Sequence, residues 1–145
     1  PDDPDVQAVK NAMYDPFEYL MIRQKHGKMS LDFKQPLGSV VYQASCHQRV
    51  QNIGQKTREV LALVPDTKVE IIERCSGHDG TYAVKLESYA SAMKIVKPVA
   101  NRVEKAAADH FGSDCPMAGA HIAHALGRDE QQEHPLTLLR KAYGI

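Results

Sequence analysis

The sequence predicts an α/β protein, an open and mostly parallel sheet with flanking helices, preceded by a helical N-terminal arm. Three observations carry this. From Leu37 onward, short β-branched runs alternate with runs of helical period in the order β–α–β–α–β–α, the pattern of βαβ units joined by right-handed crossovers. Each of the three cysteines follows a strand-like run and stands just before a helix-like one. The 145 residues, 43% hydrophobic and 25% charged, suit one well-buried domain.

Residues 1–36 read as the arm. Asp3-Pro4 offers an N-cap followed by proline at the first helical position, so a short helix runs through Met13. Asp15-Pro16 repeats the signal, and Phe17, Leu20 and Met21 then share a face until Gly27 stops the helix. Residues 28–36 read as a connector, and His26 as a solvated cap.

Residues 37–145 read as the α/β domain, Rossmann-like in layout. The run 37–45 (LGSVVYQAS) has a β-branched centre and reads as the first strand. Ile53, Thr57, Val60, Leu61 and Val64 fall on one helical face, and Pro65-Asp66 ends that helix. The run 67–73 (TKVEIIE) alternates as a second strand. After the Cys75 turn, Tyr82, Leu86, Tyr89, Met93 and Val96 make an apolar helical stripe, which Pro98 kinks or restarts. His110 to Ser113 is short but lies where a third strand is needed. Cys115-Pro116 opens a helix that Gly127 ends, 128–133 is a polar loop, and His134-Pro135 starts a last helix with Leu136, Leu139 and Tyr143 on one face.

Composition excludes several function classes. Eighteen basic against eighteen acidic residues leave no clustered positive charge of the kind that nucleic acid or an anionic membrane selects. No apolar run approaches the roughly 20 residues that span a bilayer, and no secretory signal is visible. An odd cysteine count argues against a purely intrachain disulfide framework. The loop 75–80 (CSGHDG) lacks both the GxGxxG and the GxxxxGK[ST] spacing, which rejects a nucleotide reading.

The turns that follow parallel strands converge along one sheet edge, where such folds place their ligands. Cys46, Cys75 and Cys115 could meet there, and thiolates are soft ligands that suit zinc and iron–sulfur clusters. Cys75 and Cys115 are expected to precede helix N-termini, which favour a thiolate. Three cysteines fall one short of a closed tetrahedral site. His78, in its glycine-flanked loop, and His47, beside Cys46, are the candidates for the fourth position. Arg49 and Arg74 bring positive charge toward the site, either for an anionic group or for surface pairing. His121 and His124 stand i, i+3 on a helix with no carboxylate at matching spacing, and read as a wet helical face. A thiol enzyme is the rival reading, with Cys46-His47 or Cys75 and His78 as a thiolate–imidazole pair. Three buried thiols without any site are the plain one.

Four stretches carry a family likeness: 42–49 (YQASCHQR), 53–59 (IGQKTRE), 73–81 (ERCSGHDGT) and 114–119 (DCPMAG), with His134-Pro135-Leu136 and Ala142-Tyr143-Gly144 fitting the tail. Over roughly residues 38–145 the sequence resembles the cysteine-rich CCG domain of heterodisulfide-reductase-like iron–sulfur oxidoreductases. The likeness is nearest to the C-terminal part of the iron–sulfur subunit of anaerobic glycerol-3-phosphate dehydrogenases. In that family's pattern of one cysteine, a Cys-Cys-Gly turn and Cys-x-x-Cys, Cys46, Cys75 and Cys115 match, whereas Ser76 and Ala118 stand at the other two positions. The resemblance implies a small iron–sulfur cluster, or a single iron or zinc ion, held by Cys46, Cys75 and Cys115 and completed by His78 or His47. It implies a redox protein that is not itself catalytic, with a flavin dehydrogenase subunit and a downstream electron acceptor as partners. It further implies a cytoplasmic location, with attachment to the cytoplasmic membrane through those partners, and a chain that is the C-terminal piece of a longer protein. A zinc-stabilised docking domain is the non-redox alternative.

Overall fold

In the computed structural model, which describes residues 3–128 and 132–145, three parallel strands form one sheet. They are β1 (Gly38–Gln43), β2 (Thr67–Ile72) and β3 (His110–Ser113), in the order β2-β1-β3. The central strand pairs with both neighbours, Val41 standing opposite Glu70 on one side and Phe111 on the other. The chain therefore leaves β1 toward one edge and later crosses back to the other. That reversal makes the C-terminal ends of β1 and β3 the switch point, the place where open α/β sheets bind ligands.

Two apolar layers sandwich the sheet, because successive strand side chains point to opposite faces. Val40 joins Phe17, Val60, Leu61, Val64, Leu138 and Leu139 on one side. These come from α2 (Pro16–Lys25), α4 (Lys56–Leu61) with the turn after it, and α7 (Pro135–Tyr143). Val41 joins Ile72, Val96, Val99, Val103, Phe111 and Ile122 on the other side, with α5 (Leu86–Ala106) and α6 (Pro116–Ala125). The arm thus contributes to the core. Phe17 is buried in the first layer, where truncating a phenylalanine to alanine costs about 3–5 kcal/mol. The first helix, α1 (Pro4–Ala12), buries none of its residues. Asp3 and Asp15 cap α1 and α2 as their Asp-Pro signals predict.

Three local features differ from the sequence reading. A helix α3 (Cys46–Val50) begins at Cys46 itself, before the break at 51–55. Residues 80–84 form turns rather than helix, and Leu86 and Tyr89 are exposed, so the buried stripe of α5 is Ala92, Val96, Val99, Ala100 and Val103. Val96 of the expected stripe is buried and Met93 packs against the same core, so the stripe holds in its second half and fails where the helix starts. As expected, the helix continues past Pro98, which sits inside α5. In 128–133, residues 129–131 lie outside the described residues, while Gln132 makes a parallel bridge with Phe111 and the Glu133 N–H donates to the Phe111 carbonyl at 2.8 Å. This edge contact needs Gly112, where a Cβ would stand 2.0 Å from the Glu133 carbonyl oxygen.

Candidate functional site

All three cysteines follow the C-terminal ends of the three strands, and all three thiols are free. Cys46 is exposed at the first position of α3, behind the buried Ser45. Cys75 is exposed in the turn after β2, and its sulfur accepts a hydrogen bond from the Gly77 N–H at 3.4 Å. Cys115 is half-buried at the N-cap of α6, with Pro116 at the first helical position. Cys75 does not precede a helix N-terminus. The chain makes turns from 80 to 84 and enters α5 only at Leu86.

A buried amide ties two of these turns together. Gln43, the last residue of β1, is 1% exposed. Its Nε2 donates to the Arg74 carbonyl at 2.9 Å and to the Ala44 carbonyl at 2.8 Å. Its Oε1 accepts from the Ser113 hydroxyl at 2.8 Å, and Ser113 Oγ accepts from the Cys115 N–H at 3.3 Å. The Ala44 N–H completes the set by donating to the Ile72 carbonyl at 3.1 Å. An amide side chain with donors and an acceptor can bridge both neighbouring strand ends, which an apolar residue at this buried position could not.

On the opposite face of the sheet, a second polar cluster lies at the ends of β1 and β3. The Tyr42 hydroxyl meets both the Asp114 carboxylate and the Gln48 side-chain oxygen. The Thr57 hydroxyl bonds Asp114 at 3.1 Å, and Gln48 Nε2 donates to Thr57 at 2.7 Å. Burial pushes the Asp114 carboxyl above its ordinary range, against the pull of the Tyr42 and Thr57 hydrogen bonds. Burial, then the Asp114 charge, pushes the Tyr42 phenol up as well. His134 reaches the same turn, its Nδ1 accepting from the Leu136 N–H at 3.1 Å while Nε2 donates to the Asp114 carbonyl at 3.2 Å.

The two candidate histidine ligands stand differently. His47 is exposed, with its Nε2 3.2 Å from Ser45 Oγ. His78 is half-buried, with its ring centroid 6.5 Å from that of His121. The reading of His121 and His124 as one wet face is corrected, because His121 is 7% exposed and only His124 faces outward. Burial holds the His121 imidazole below its ordinary range, so it is neutral at pH 7. Arg49 and Arg74 are exposed, with only the Arg74 carbonyl drawn into the site.

Sequence reasoning gave no role to Gln43, Ser113, Asp114, Tyr42, Gln48 or Thr57. The signal for them was a glutamine closing a β-branched strand and an aspartate before Cys115-Pro116, since both put polar groups where the pattern demands burial. The donor chemistry fits a soft metal or a cluster, with three free thiols along one edge of the sheet. Among the described residues, no three His, Cys, Asp or Glu side chains are gathered closely enough to hold a metal ion. Comparison with known proteins finds no matching family model, no matching curated protein and no matching solved structure.

Proposed function

We propose that this chain is an electron-transfer module of a multi-subunit oxidoreductase, binding an iron–sulfur cluster or a single iron ion through Cys46, Cys75 and Cys115, with zinc in the same site giving a docking domain without a redox role instead. His47 or His78 completes the ligand set. The observation that carries this reading is the common placement of the three thiols, one after each parallel strand, with Gln43 joining the Cys75 and Cys115 turns. A bound cluster or iron ion would supply one-electron chemistry at the sheet edge. The chain's own residues do the remaining work. The Gly77 N–H donates to the Cys75 sulfur, and Ser113 orients the Cys115 backbone. A donor to a ligand sulfur, as Gly77 is to Cys75, raises a potential. The partners proposed are a flavin dehydrogenase subunit and a downstream electron acceptor. Among the described residues no helix is long and apolar enough to cross a membrane, so association with the cytoplasmic membrane would run through those partners.

Counting iron, zinc and acid-labile sulfide per chain in anaerobically purified protein tests the proposal. Iron with matching sulfide supports an electron-transfer module, and iron without sulfide a mononuclear one. Stoichiometric zinc moves the site to a structural role. Folded protein that takes up no metal on reconstitution overturns the thiol-ligand reading.

A further inference from the structure

His121 carries a buried polar atom with no partner. Its Nε2 is shielded from the surface and has no hydrogen bond. With the ring proton on Nδ1, the Nε2 lone pair is free to bind a metal, as a neutral imidazole does. Leaving a buried acceptor unsatisfied is costly, and a bound partner would recover that cost.

The surroundings supply a second imidazole and room for a ligand. His121 lines a cavity of about 450 Å³ together with His78, Tyr89, His124, Met117 and Val84. The turn that carries His78 is pressed onto the same point of α5 as His121. A Cβ at Gly77 would stand 2.7 Å from the Ala92 oxygen, on the helix against which α6 and its His121 pack. The His124 Nε2 is engaged 2.8 Å from the Tyr89 hydroxyl. His78 is therefore the ring that faces His121, at 6.5 Å between centroids.

We infer that His121 Nε2 and His78 form a two-imidazole site for a divalent transition ion of the zinc class, open to water or a small ligand through the cavity. The site is separate from the thiol site, uses no cysteine, and leaves His47 to complete the thiol set. Metal–nitrogen bonds of about 2.0–2.1 Å require the two rings to approach somewhat more closely than they stand. The His78 side must make that movement, because His121 is buried on α6 while His78 is half-buried in a turn.

The test is a titration of the full chain with zinc ion alone, in a variant carrying Cys46→Ser, Cys75→Ser and Cys115→Ser, read from the ring-nitrogen resonances of each histidine. The expected result is a shift of His121 Nε2 and of one His78 nitrogen on saturation, with binding weakened at least about tenfold by His121→Gln or by His78→Gln. Zinc that leaves the His121 resonance unmoved in folded protein overturns the inference. Should the triple variant fail to fold, the same resonance in the unsubstituted chain decides the matter by the same criterion. The outcome is independent of the thiol site: a metal content of the unsubstituted protein that the three serine substitutions leave undiminished would sink that proposal and keep this one.

Discussion

Gln43 and Ser113 share a buried hydrogen bond of 2.8 Å between adjacent strand ends, and neither side chain is more than 1% exposed. Through it the backbone of the Cys75 turn, at the Arg74 carbonyl, is linked to the backbone N–H of Cys115. The spacing between two candidate ligands thus depends on one amide.

Replacing that amide with an apolar isostere, Gln43→Leu, is expected to leave the Ser113 hydroxyl and the Arg74 carbonyl unpaired in the interior. The cost should be about 1–3 kcal/mol in stability, read from denaturant unfolding. Metal uptake on reconstitution should fall with it. A variant with full stability and full metal uptake would show that Gln43 links nothing of consequence.

Asp114 should make stability depend on pH in a direction opposite to that of most carboxylates. Its folded-state pKa lies above the ordinary value, so the folded chain holds a proton that the unfolded chain releases. Its contribution is fullest below about pH 4 and declines as pH rises through the raised folded value. The geometry accommodates that proton, because a single Tyr42 hydroxyl hydrogen faces both Asp114 and Gln48. Asp114→Asn should remove the decline, its amide donating to Tyr42 while its oxygen accepts from Thr57. Urea midpoints measured across pH for both proteins check this. Identical pH profiles would refute it.

Gly112 should tolerate no side chain. A Cβ there would stand 2.0 Å from the Glu133 carbonyl oxygen, a backbone atom that cannot turn aside. Gly112→Ala is expected to cost about 1–3 kcal/mol and to weaken protection of the Glu133 amide against hydrogen exchange. An unchanged exchange rate would mean that the edge segment does not depend on this contact.

The sequence was most legible where a local rule acts alone. Asp-Pro pairs set the starts of α1 and α2, alternation marked β2, and position in the βαβ series was enough to place even the four-residue β3. It was least legible where a stripe runs past its neighbour. Of the stripe from Tyr82 to Val96, Val96 is buried and Met93 packs against the core, yet Leu86 and Tyr89 are exposed and Tyr82 lies before the helix. Periodicity states that one face is apolar, but how much of its length is covered depends on the neighbour.

The amino-acid sequence by itself determined the class of fold, the order of its elements and the placement of each cysteine after a strand, because these follow from local period and capping. Only the tertiary structure decided that Gln43 joins two of those turns, that Asp114 rests on Tyr42 and Thr57, and that His121 is buried facing His78 while His124 is not. Those relationships join residues far apart in the chain. They come from parallel strands laying their ends side by side, a geometry no local pattern encodes.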